Sequence, residues 1–267
     1  MATRFVALLI PLLASFSLIL ANRAALDLPQ RIDAGGHLLR MRIVGEGSPA
    51  VVFEIGLGGP LEEWAAVQSD VARFTRTAAY DRLGSDRSMG VLTGGQIARE
   101  LHAALTKAQL PPPYVLVGQS FAGIYNRIFA ATYPEEVAGM VLLDPAHERF
   151  IEWMEVHHPE YGLASIPRDR WPEAAGIEAT LDALKSMPAL PDVPIIVVTG
   201  ARRGHDRLRD VLLPTWIGMH DEWTRTLPQG RHVLAEKSGH AIHIDEPDLA
   251  VGLIREAVEQ GRRLTSH

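Results

Sequence analysis

The chain reads as one α/β domain on a mainly parallel sheet flanked by helices, with a helical insertion before the penultimate strand. Three observations lead there. Short apolar runs of strand length alternate with stretches of helical periodicity, as βαβ crossovers require. One such run, Val115 to Val117, leads straight into Gly118-Gln119-Ser120-Phe121-Ala122-Gly123 and a helix. The alternation lapses between Pro145 and Asp192, then resumes.

In chain order, Arg4 precedes an uncharged, mostly apolar run from Phe5 to Ala21, broken only by Pro11 and two serines. A basic residue before an apolar core is the pattern of a secretory signal peptide, and a slightly longer run would anchor in a membrane. Residues 1–25 are expected to be one or the other, so the protein is expected to be exported or held at a membrane by this segment. No clean Ala-x-Ala site follows; Ala21, Ala24 and Ala25 are weak candidates.

The domain is expected over residues 26–267. Leu26 to Gln30 reads as a linker, His37 to Val44 as an alternating strand, and Gly45 to Pro49 as a turn. Ala50 to Ile55 is a buried strand ending in Gly56-Leu57-Gly58-Gly59-Pro60. Leu61 to Phe74 has helical spacing, with Trp64, Val67 and Val71 on one face. Thr75 to Tyr80 is a strand, and Asp81 to Asp86 a loop. Gln96 to Gln109 is helical, with Ile97, Leu101, Ala104 and Leu105 as its apolar stripe, and Pro111-Pro112-Pro113 stops it. Helix Phe121 to Thr132 and strand Val137 to Leu143 follow, the strand ending at Asp144. Residues 146–192, with Trp153, Tyr161 and Trp171, read as a mostly helical lid. Strand Pro194 to Gly200, a helix around Pro214 to Arg225, strand Arg231 to Glu236 and a helix from Pro247 to Arg263 complete the chain.

Composition narrows the function. A hydrophobic fraction of 47% with 22% charged residues is ordinary for a globular protein. A net charge of −6 gives no basic surface bias, which argues against nucleic acid as a partner. There is no cysteine, which excludes disulfides and thiolate chemistry.

An apolar strand entering Gly-x-Ser and then a helix is a nucleophile elbow, which exposes the serine Oγ on a strained turn at the sheet edge. Strand and helix backbones approach closely there, so the positions two before and two after the serine must be small; Gly118 and Ala122 fill them. His240, after a strand and the pair Ser238-Gly239, comes to the same edge and is the candidate base. Asp144, ending the strand after the elbow helix, and Asp206, six residues past Gly200, are the candidate acids. Asp144 is favoured because Pro145 fixes the chain's exit there, whereas Asp206 sits among Arg202, Arg203, Arg207 and Arg209.

Five segments in this order resemble the α/β-hydrolase superfamily. They are Val52 to Gly59, Tyr80 to Ser88, the elbow, Val141 to His147, and Ser238-Gly239-His240 with Asp245-Glu246-Pro247. The resemblance covers about residues 31 to 263. It implies a serine hydrolase cleaving a small-molecule ester through an acyl-enzyme with Ser120, His240 and Asp144. The oxyanion would be held by the backbone N–H groups of Phe121 and Leu57. The superfamily's acid more often follows the next strand, but enzymes similar to this one, with Trp216 downstream, look like a subgroup using the earlier aspartate. The same machinery can open amide, lactone, thioester or carbon–carbon bonds, and the scaffold can also serve as a non-catalytic binding protein.

No cofactor and no metal are expected. His147, His157 and His158 lack ligand spacing, His240-Ala241-Ile242-His243 lacks the glutamate of a zinc helix, and Gly56 to Gly59 does not extend to a dinucleotide fingerprint. Trp153 and Trp171 are candidates either for lining an acyl pocket or for plain packing.

Overall fold

The computed structural model describes residues 28–36, 38–82, 91–166, 168, 172–202 and 209–264. The expected N-terminal segment, the loop after Arg82, Trp171 and Asp206 lie outside them.

Eight strands form one sheet in the order β1-β2-β4-β3-β5-β6-β7-β8. They are β1 Gln30–Asp33, β2 Leu38–Val44, β3 Ala50–Glu54, β4 Thr77–Asp81, β5 Tyr114–Gln119, β6 Val137–Leu143, β7 Ile195–Gly200 and β8 Gly230–Ala235. β1 and β2 run antiparallel to their neighbours, and β3 to β8 are parallel.

β5 and β6 are buried along their whole length, which explains their unbroken apolar runs: both faces of a parallel sheet are covered. Side chains leave a strand alternately to the two faces, so the core has two layers. Leu116 and Leu142 pack toward α2 (Gly94–Lys107) and α3 (Ala122–Thr132). Val115, Val117 and Val141 pack toward α1 (Ala65–Val71) and the last helix, α8 (Pro247–Leu264).

Several elements depart from the sequence reading. Gln30–Asp33, read in part as linker, is the edge strand β1. Its four residues carry little apolar signal, so only pairing with β2 makes it a strand. The segment from Leu61 opens with a 3₁₀ turn, Leu61–Trp64, before α1 begins. α6 (Arg209–Arg225) starts well before Pro214, which lies inside it. α2 starts two residues early because the Thr93 hydroxyl accepts from Gln96 N at 3.3 Å and caps it.

Between β6 and β7 the chain forms α4 (Glu148–His157), 3₁₀ turns at Pro159–Tyr161, Leu163–Ser165 and Pro172–Gly176, and α5 (Ile177–Leu184). A short helix, α7 (Ile242–Asp245), precedes α8. No helix among the described residues is long and apolar enough to cross a membrane.

Candidate functional site

In a parallel sheet the loops leaving the C-terminal ends of the strands all emerge on one edge. Ser120 follows β5, Asp144 follows β6, and His240 lies in the loop after β8. Among the described residues only Gln109, Ser120 and Asp144 take positive φ without being glycine, at 53°, 57° and 45°. Such backbone persists where its surroundings over-determine it. Here they do: Ser120 N donates to Leu143 O at 3.1 Å, and Ser120 O accepts from Ala146 N at 2.8 Å and Gly123 N at 3.0 Å. A Cβ at Gly118 would stand 3.0 Å from the Ala122 carbonyl, and one at Gly123 would run into Pro145. The small residues of the elbow are steric necessities.

Asp144 is wholly buried, and its amide donates to Val198 O at 2.6 Å. Its Oδ1 accepts from Trp216 Nε1 at 2.8 Å and Gly200 N at 3.1 Å, and its Oδ2 lies 2.6 Å from His240 Nδ1. A carboxylate only accepts, so Nδ1 carries the proton and the Nε2 lone pair is left available. The His240 side chain is 49% exposed. Its backbone is tied to the elbow, because Gln119 Nε2 donates to His240 O at 3.1 Å. Gly239 N donates to Asp245 Oδ2 at 2.9 Å, and the Ser238 hydroxyl to Glu246 Oε2 at 2.6 Å, which explains why this loop carries Asp245-Glu246.

Behind the acid lies a chain of neutral imidazoles. His220 Nε2 donates to Pro145 O at 2.9 Å, so its Nδ1 accepts from the Thr199 hydroxyl at 2.7 Å, and His232 Nε2 donates to that hydroxyl at 2.8 Å. Burial pushes the His220 pKa down to about 4, which keeps it uncharged beside Asp144.

The two candidate oxyanion donors flank the elbow. Phe121 is buried at the N-terminus of α3, where the helix dipole favours negative charge, and Leu57 is half-buried in the loop after β3. Beneath that loop lies a polar hub that sequence reasoning missed. Arg82 is buried and donates to Ile55 O and, at 2.5 Å, to Gly56 O. Glu54 is also buried and accepts from the Tyr80 hydroxyl at 2.7 Å. The Asn126 amide, turned so that both its ends are satisfied, donates to Glu54 at 2.6 Å and accepts from Gly118 N at 3.1 Å. Desolvation outweighs the attraction of Arg82 and pushes the Glu54 pKa up to about 7. Arg82 lies within one of the five segments that carry the resemblance, but nothing in the sequence marks it as buried.

A cavity of about 200 Å³ opens beside Phe121 and His240, walled by Ile151, Met154, Leu163 and Trp216 among others. Trp153 does not line it. Its ring stacks on His157 and on Phe150, with centroids 4.7 and 5.8 Å apart, so of its two candidate roles the structure gives it packing. His147 caps α4, its Nδ1 accepting from Arg149 N at 3.2 Å. Among the described residues no cluster of three or more His, Cys, Asp or Glu could hold a metal ion.

Residues 49–161 match the family model described as alpha/beta hydrolase fold. Over 211 residues the chain is 28% identical to the uncharacterized protein YqjL of Bacillus subtilis, covering 77% of this chain and 81% of that one. A thermophilic esterase from Thermogutta terrifontis superposes with a TM-score of 0.64 at 20% identity, over 87% of this chain and 98% of that one. The enol-lactonase from Burkholderia xenovorans superposes with a TM-score of 0.58 at 16% identity, over 84% and 98%. Strand order, elbow, the match over residues 49–161 and the superposed structures agree: the chain has the α/β-hydrolase fold.

Proposed function

We propose that this protein is a serine hydrolase that cleaves carboxylic esters through an acyl-enzyme. The observation that carries the reading is the 2.6 Å contact between His240 Nδ1 and Asp144, together with a serine held at positive φ on the elbow, whose neighbour Gln119 bonds the His240 backbone. His240 Nε2 takes the proton of Ser120 Oγ as the oxygen attacks the ester carbonyl. The Phe121 and Leu57 amides hold the oxyanion, and Asp144 stays ionised and stabilises the imidazolium. Nε2 then gives its proton to the departing alkoxide, and the alcohol leaves. Water attacks the acyl-serine with His240 again as base, which releases the acid and restores Ser120.

The apolar walls of the cavity favour an uncharged hydrocarbon group on the substrate, and residues 146–192, which supply Ile151, Met154 and Leu163, act as a lid. The likenesses to an esterase and a lactonase support carbonyl chemistry at this site. No cofactor enters this mechanism. Residues 1–25 would export the enzyme or hold it at a membrane, apart from the catalytic domain.

The test pairs a fluorophosphonate label with p-nitrophenyl esters from acetate to palmitate. Wild type should label at Ser120 and turn over part of the series. Ser120→Ala should lose on the order of 10⁶ in turnover while staying folded. A folded wild type that neither labels nor turns over any ester would leave a binding role instead.

A further inference from the structure

Glu173 stands on the 3₁₀ turn Pro172–Gly176, in the segment that walls the cavity, and its side chain is wholly buried. Its Oε1 accepts from Gly58 N, 115 residues away in sequence, and from Arg82 Nη2 at 3.0 Å. Its Oε2 accepts from Arg82 Nε at 3.0 Å, which completes a two-pronged ion pair. The turn itself is seated on the start of α2. The Thr180 hydroxyl accepts from Gly94 N at 2.8 Å and donates to Gly176 O at 2.7 Å, and a Cβ at Gly176 would run into Leu92 O.

The peptide plane turns these contacts into a statement about Leu57. Gly56 O and Leu57 N–H belong to one planar trans unit and point in opposite directions. Arg82, by holding Gly56 O at 2.5 Å, therefore sets where the Leu57 N–H points. The next plane joins Leu57 C=O to Gly58 N–H, and Glu173 holds that N–H. One buried ion pair thus pins both peptide planes around the proposed oxyanion donor.

We propose that Glu173 is a positioning residue for the oxyanion loop, through which the segment between β6 and β7 aims the Leu57 amide. The proposal rests on the esterase reading. A mis-aimed donor weakens the transition state more than the bound ester, so its loss appears in kcat rather than KM.

The experiment uses the full chain and p-nitrophenyl butyrate. Glu173→Gln keeps an acceptor but loses the charge that holds Arg82. Glu173→Asp keeps the charge but is one methylene too short to reach both partners. Each folded variant should lose about 10- to 100-fold in kcat with KM within about three-fold of wild type. Wild-type kcat in either folded variant, or a loss carried by KM alone, would overturn the proposal. Independently of any variant, the Gly58 amide proton of the wild type should exchange slowly by NMR; exchange within seconds would also overturn it. Fluorophosphonate labelling of wild-type Ser120 separates the two readings. An unlabelled serine overturns the esterase reading and this proposal together, whereas a labelled serine with wild-type kcat in the variants overturns this proposal alone.

Discussion

Trp216 Nε1 donates to Asp144 Oδ1 at 2.8 Å, leaving Oδ2 to His240. The indole is wedged edge-on against Phe150 and His220, with ring centroids 4.3 and 4.7 Å away, so its N–H has little freedom to turn elsewhere. It spreads the charge of a carboxylate that no solvent reaches.

Trp216→Phe should keep most of that packing and remove the hydrogen bond. A bond to a charged acceptor is worth about 1.5–3 kcal/mol, so turnover should fall roughly ten-fold or more. Unchanged kcat in a folded variant would show that the indole only fills space.

Asp144→Asn should leave the enzyme nearly inactive, because the imidazole loses the partner that fixes its tautomer; the loss is on the order of 10⁴ in turnover. Asp206→Asn should stay close to wild type. Steady-state kinetics on the two variants decides between them, and the reverse pattern would move the acid to the later strand.

Chain-length preference should follow the residues that wall the cavity. Met154→Ala enlarges it, and should shift the optimum among p-nitrophenyl esters toward longer chains. Trp153→Ala, removing a ring that stacks on Phe150 and His157, should cost stability more than selectivity. Equal selectivity in Met154→Ala and wild type would place the acyl group elsewhere.

Stability should fall in mild acid. Burial holds the pKa values of His147, His220 and His243 at about 4. Such depressed groups contribute stability that is full above the unfolded value of about 6.5 and is lost as pH falls toward 4. Glu54 works the other way: raised to about 7, it contributes stability below about 4.5 that is lost as pH rises through 7. Three imidazoles outweigh one carboxyl, so Tm should drop on the order of 10 °C between pH 7 and 4.5. A flat Tm over that window, by scanning fluorimetry, would contradict the burial of these rings as neutral groups.

The centre of the sheet was legible in the sequence because its strands are mostly apolar runs, and burial on both faces of a parallel sheet requires them. The elbow was legible for a steric reason, since close approach of strand and helix permits only small residues around Ser120. His240 could be singled out among eleven histidines by its place after the last strand. Sequence alone left two acids open, and bringing Asp144 to His240 took three separate strand ends and the indole of α6.

Tertiary structure alone decided the rest. β1 is a strand only because β2 offers its edge, and Trp153 turned from the cavity because α4 presents Ile151 and Met154 there instead. The hub of Glu54, Arg82 and Glu173 has no local signature, because nothing near each charge marks it as buried and their burial depends on partners as far as 115 residues away. Periodicity and turn chemistry report how a segment folds on itself or onto a face. Which buried charge meets which depends on how distant segments close over one another, and only the folded chain brings them together.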